Sequence, residues 1–170
     1  NILLTKQVIL KSDNIKNLNE LLLEKIKLIE GLCIEEGYIK IDSCKILSYD
    51  NPIMLSDSLK FNVAFMCDII NPTESQIFDC IVKSITKVGI RAELNITPSP
   101  LVIFVARDHN YQNENFSKIN LEDTIRVKIL GARYELNDKF ISVIAEYVQE
   151  KDNSSEKLKV KSKISSRKKW

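Results

Sequence analysis

From residue 59 to 69, Leu59, Phe61, Val63, Phe65, Cys67 and Ile69 alternate with Lys60, Asn62, Ala64, Met66 and Asp68. Successive side chains of a strand point to opposite faces, so a run of this length with period two is a strand with one buried face. Such a strand needs paired neighbours and a cover for its apolar face. The chain must therefore fold around at least one sheet.

The cover is legible upstream. Residues 2–10 are apolar and β-prone and read as a first strand. Ser12, Asp13 and Asn14 supply helix-start chemistry. Ile15, Leu18, Leu22, Ile26 and Ile29 follow at spacings of three and four, with Leu21 beside them, so one apolar stripe runs to about Glu30. Gly31 is a natural stop. Residues 34–49 read as one or two strands, with Gly37 and Tyr38 near a turn. Tyr49-Asp50-Asn51-Pro52 is a turn signal, and Asn71-Pro72 ends the alternating strand.

The second half is nearly all β. Strands are predicted over 77–85, from Val88-Gly89-Ile90 onward, over 101–106, around Ile125, Val127 and Ile129, and around Ile141, Val143, Ala145 and Tyr147. Thr97-Pro98-Ser99-Pro100 breaks the chain before the third. The polar stretch 108–122 is loop-like, and Asn137-Asp138 turns the last hairpin. Five strands with the longest connection between the third and fourth fit an OB-type barrel, and a generic β-sandwich or another small barrel is the alternative. The predicted fold is α+β, mostly β. Residues 1–74 form a strand-helix-strands domain, 75–148 the barrel, and 149–170 a basic, flexible tail.

Charge sets this tail apart. Eight of the 25 basic and two of the 23 acidic residues fall in 151–170, giving +6 there and −4 over the other 150 residues. Lysines in the tail can track phosphates with salt-sensitive affinity, or simply solubilise the chain. No apolar run reaches the roughly 18 residues of a membrane helix, and no membrane role or signal peptide is expected. Ile occurs 24 times against five Ala, and Lys 20 times against five Arg, as an AT-rich coding sequence gives.

Enzyme chemistry finds little footing. His109 is the only imidazole, and the four glycines (Gly31, Gly37, Gly89, Gly131) form no phosphate loop. No nucleophile motif of the GxSxG kind exists. Cys33, Cys44, Cys67 and Cys80 form no CxxC pair, so neither metal nor cofactor is expected and the thiols read as reduced and buried. Binding chemistry is better supplied. Lys83, Lys87, Arg91, Arg107, Arg126 and Lys128 lie on or beside barrel strands, and Phe78, Phe104, Tyr111 and Phe116 are the available rings. Phe104, in an apolar run, reads as core. Tyr111 and Phe116, in a polar loop, read as surface contacts. The candidate RNA-binding set is Lys83, Lys87, Arg91, Arg107, Tyr111 and Phe116. The apolar turn Asn51, Pro52, Ile53, Met54 and Leu55 is a candidate docking element, unless Ile53 and Leu55 fold back into their own core.

Order and spacing resemble one family. Gly31 and Gly37-Tyr38-Ile39, then Tyr49-Asp50-Asn51 and Phe61-Asn62-Val63, are similar to its first domain. Pro72, Ile77, Asp79 and Val82 follow its entry into the barrel. Gly89, Val102-Ile103-Phe104-Val105, and Ile125-Arg126-Val127-Lys128-Ile129 with Gly131 are similar to its barrel strands. The family is the stalk subunit of multisubunit DNA-directed RNA polymerases, the seventh subunit of the eukaryotic enzymes and its archaeal counterpart. The resemblance covers roughly residues 2–148. It departs at Cys80 and Ser58, where the family usually has Gly, and in the tail.

The resemblance implies a non-catalytic subunit whose tip domain docks on the polymerase core subunits through 51–55. It implies a fourth-subunit-type stalk partner, of the kind eukaryotic and archaeal enzymes both carry, along the joint between domains. Its OB barrel would contact nascent RNA in initiation and elongation. An intracellular site follows, in the nucleus or, for a viral source, in a cytoplasmic factory or virion. The rival reading is a stand-alone OB-fold RNA-binding factor of translation or RNA decay.

Overall fold

The computed structural model describes residues 1–149; the basic tail lies outside them. The chain runs as β1 (Ile2–Lys11), α1 (Leu18–Lys27), β2 (Cys33–Ile34), β3 (Gly37–Ile39), β4 (Lys45–Tyr49), β5 (Ile53–Met54), β6 (Ser58–Cys67), β7 (Ile69–Ile70), β8 (Ile77–Ile85), β9 (Gly89–Glu93), β10 (Leu101–Ala106), β11 (Thr124–Arg133) and β12 (Ile141–Tyr147). Short 3-10 turns add Ser12–Asn14, Arg107–His109 and Glu114–Lys118.

The alternating run is the centre of the first sheet as far as Cys67, but it breaks at Asp68, and Ile69–Ile70 (β7) pairs with β3 in a separate sheet with β2. β6 lies between β1 and β4, both antiparallel, with Val8 opposite Phe61 and Ile46 opposite Phe65. Phe61, Val63, Phe65 and Cys67 are buried, and Leu22 and Ile26 of α1 close over them. The helix starts later than the sequence predicts. The Ser12 hydroxyl donates to the Asp57 carbonyl at 3.0 Å instead of capping. This keeps the chain at the end of β1, and Ile15 falls outside the helix. Asn17 stands at the N-cap, with its side-chain amide donating to Glu20 at 2.9 Å.

The barrel is closed in the order β10-β12-β11-β8-β9. β10 and β12 are parallel, and the other neighbours are antiparallel. Five strands, this closure and a long β10–β11 connection make an OB-like barrel. Val82, Ala92, Ile103, Val105, Val127, Ile141 and Ala145 fill it. Gly89 is required where β9 meets β10, because a Cβ there would run into the Val105 carbonyl oxygen.

Tip sheet and barrel share a joint. The Cys33 N–H donates to Asp138 at 2.8 Å, and the Asn137 N–H returns a bond to Cys33 at 2.9 Å. Tyr134 Oη donates to the Glu35 carbonyl at 2.8 Å. Cys33 and Tyr38 pack into the same apolar cluster as the barrel core. Asn137 does turn the chain, at φ +67°, and its segment also clasps β2.

Candidate nucleic-acid interface and docking turn

Outward positions on β9, β10 and β12 lie in rows fixed by register. Arg91 is opposite Phe104, and Phe104 is beside Ile144. All three are exposed, Phe104 by 37%. Phe104 is therefore a surface ring and not core, contrary to the sequence expectation. Leu101, Ile103 and Val105 take the inward parity of β10, which leaves Phe104 on the outer face. Beyond the row, the Arg107 N–H donates to the Val88 carbonyl at 2.9 Å, which brings β10 to the exposed β8–β9 turn carrying Lys87. Arg91, Phe104 and Ile144 thus form one exposed row, with Lys87 on the turn beside it, whereas the Arg107 side chain turns onto the buried Phe116 ring and does not join the row.

Phe116 is the opposite correction. It is only 4% exposed and belongs to the barrel core cluster. Its ring meets Tyr147 edge-on at 6.3 Å, and the Arg107 guanidinium lies 5.6 Å from its centroid. The 3-10 turn Glu114–Lys118 caps the barrel, and Phe116 is its plug. Tyr111 stands in solvent. It lines a polar hollow of about 560 Å³ with His109, Asn113, Glu146 and Gln149.

The cations are largely balanced by acids. Lys83 pairs with Glu122 at 3.1 Å, Arg91 with Glu93 at 3.2 Å, Arg126 with Asp79 at 2.9 Å and Lys128 with Glu146 at 3.7 Å. Arg107 donates to the Thr86 carbonyl at 3.2 Å. Bonding from Arg126 holds the Asp79 carboxyl below the usual carboxylate range. Lys83 is drawn to the β10–β11 connection and does not join the row. Such a face attracts a phosphate backbone weakly, so an exposed ring has to supply much of any nucleic-acid contact.

The second candidate element is the turn before β6. Asn51 and Pro52 are exposed, and Ile53, Met54 and Leu55 stand in solvent, Met54 by 80%. They do not fold back into the core. β5 pairs with the start of β6, Ile53 opposite Lys60 and Met54 opposite Leu59, and the Leu55 N–H closes on Ser58 at 2.8 Å. Asp50 fixes the base. Its carboxylate accepts from the Asn62 N–H at 2.9 Å and from the Asn62 amide at 2.8 Å, which holds its pKa below the usual carboxylate range. The turn is a held apolar prong.

A cleft of about 290 Å³ lies at the joint, lined by Tyr38, Ile41, Ile70, Ile96 and Pro98 among others. Among the described residues, no group of three or more His, Cys, Asp or Glu could hold a metal ion. No helix among them is long and apolar enough to cross a membrane.

No protein-family profile matches the chain. It is similar to the DNA-directed RNA polymerase II subunit rpb7 of Dictyostelium discoideum, with 28% identity over 131 residues, covering 66% of this chain and 73% of that protein.

Proposed function

We propose that this chain is a divergent relative of the RNA polymerase stalk subunits, which docks on a polymerase core by its tip and touches emerging RNA by its barrel. The carrying observation is the similarity to an RNA polymerase II subunit, in a chain that joins a helix-covered sheet to an OB-like barrel. The proposed domains are 1–74 and 75–148. The chain has no catalytic step of its own in this reading and works in the nucleus, or in a viral factory if the source is viral.

Each part has a physical support. The prong Ile53, Met54 and Leu55 offers apolar surface on a fixed base, with Asn51 and Pro52 leading into it, and such a patch gains by insertion into a pocket. The cleft at the joint offers Ile41, Ile96 and Pro98 to a fourth-subunit-type partner. On the barrel, Phe104 offers a stacking face beside Arg91, with Lys87 on the neighbouring turn, and Arg107 stays engaged with Phe116 and the Thr86 carbonyl. Tyr111 and Lys83 are outlying contacts. A stacked base is worth about 1–3 kcal/mol, so RNA contact through this face is weak and salt-sensitive.

The test is affinity purification of the full chain from its native extract at moderate salt, with mass spectrometry of what accompanies it. Recovery of the two largest polymerase subunits in fixed ratio is the expected result. Recovery of RNA or ribosomes alone, lost after nuclease treatment, overturns it in favour of a free OB-fold RNA binder.

A further inference from the structure

Two of the four thiols face each other. Lys45 of β4 is opposite Met66 of β6, so the next antiparallel position sets Cys44 opposite Cys67. Both belong to the tip core, Cys44 at 6% and Cys67 at 1% exposure. The adjoining bond, from the Asp68 N–H to the Ser43 hydroxyl at 3.1 Å, keeps the two segments in this register. Opposite residues of an antiparallel pair have Cα atoms about 4.5–5.5 Å apart. A disulfide needs about 4.4–6.8 Å. A pair continuing this register has the spacing a disulfide uses.

We propose that Cys44 and Cys67 are a latent cross-strand disulfide, closed by peroxide, that ties β4 to β6 and encloses residues 45–66, the docking prong among them.

The step balances with hydrogen peroxide as oxidant. The Cys44 sulfur attacks one peroxide oxygen and the O–O bond breaks, leaving a sulfenic acid and one water. The Cys67 sulfur then attacks the Cys44 sulfur, the S–O bond breaks, and a second water leaves. Two thiols lose two electrons and two protons, and the peroxide becomes two waters. Cys44 is the first site because it precedes β4, which lies at the edge of its sheet, whereas Cys67 ends the central strand. Peroxide is small enough to reach it when that edge lifts.

Burial governs the rate. It is the main cause that pushes the Cys44 thiol up to about 12, with the Glu30 carboxylate and the Cys67 sulfur adding to the rise. The thiolate is the reactive form, so the closed tip resists oxidation and an opened edge admits it. The other cysteines sit elsewhere. Cys33 lies at the joint and Cys80 inside the barrel.

The test treats the folded full chain with hydrogen peroxide, then denatures it, alkylates free thiols and maps the peptides. The expected product is an intramolecular Cys44–Cys67 link, reversed by dithiothreitol, with Cys33 and Cys80 alkylated. Hydrogen exchange across 50–55 should slow several-fold in the linked form. A Cys33→Ala/Cys80→Ala variant should give the same link. Four alkylated thiols, a link through Cys33 or Cys80, a link between chains, or Cys44 driven to sulfinic acid without a link would each overturn the proposal.

Discussion

The barrel and the tip sheet solve the same problem differently. Every barrel strand has two neighbours, and its outward cations are mostly matched by acids. The tip sheet is open: β1 and β4 are edges, and an apolar prong projects beyond them. A closed barrel removes the unpaired edges that invite association. The tip retains its edges, and its exposed apolar side chains at 53–55 are gathered on one turn. The proposed reading gives the open half to a protein partner and the closed half to a looser contact.

Core truncation should give the largest effects and should not distinguish the halves. Ile103→Ala in the barrel and Leu22→Ala under the tip sheet remove fully buried side chains, and each should cost about 2–5 kcal/mol in urea unfolding. A much smaller loss for Leu22→Ala would mean that the helix does not close the tip. Phe116→Ala should fall in the same class, at roughly 3–5 kcal/mol, because its ring plugs the barrel.

Met54→Asp should separate stability from assembly. An 80% exposed side chain contributes little to folding, so the stability in urea should stay within about 0.5 kcal/mol of the parent. Co-purification with the large polymerase subunits should drop at least about tenfold, since a buried hot-spot side chain is worth about 2 kcal/mol or more. Unchanged recovery would remove the prong from the docking surface.

Phe104→Ala should be milder still. Its ring is on the outer face, so stability should change by less than that of Phe116→Ala. Affinity for single-stranded RNA in a filter or anisotropy assay should weaken by about 1–3 kcal/mol if one base stacks there. Equal RNA binding by parent and variant would shift the contact to Tyr111 or away from the barrel.

The smallest effect concerns acid. Asp50 and Asp79 have folded pKa values lowered by Asn62 and Arg126. A group of this kind stabilises the fold above its unfolded pKa of about 4, and the contribution is lost as pH falls through the folded value. Both are exposed, so the slope should be slight. Asp50→Asn should flatten it and raise hydrogen exchange in 51–55. A steeper acid dependence in the variant would contradict the clamp.

Local rules made much of the fold legible. The period-two run marked the central strand of the tip as far as Cys67, but not the break at Asp68, where Ile69 and Ile70 leave to pair with β3. Five β segments with one long connection marked the barrel. The helix start escaped because Ser12 spends its hydroxyl on Asp57, a partner 45 positions away. Phe104 was within reach of the same parity that read β6: Leu101, Ile103 and Val105 all claim the inside. Phe116 was not, because its burial comes from a loop folding over the barrel end. The pairing of Lys83 with Glu122 and of Arg126 with Asp79 is likewise set by tertiary approach, so a count of cations overstated the charge of this face.

The most direct measurement places a photo-cross-linking residue at Met54 or at Phe104 in the full chain, irradiates the affinity-purified assembly while it transcribes, and identifies the adducts. Position 54 should capture a large polymerase subunit, and position 104 should capture RNA. Capture of RNA at both positions, or of no polymerase subunit at position 54, would contradict the division of labour between tip and barrel.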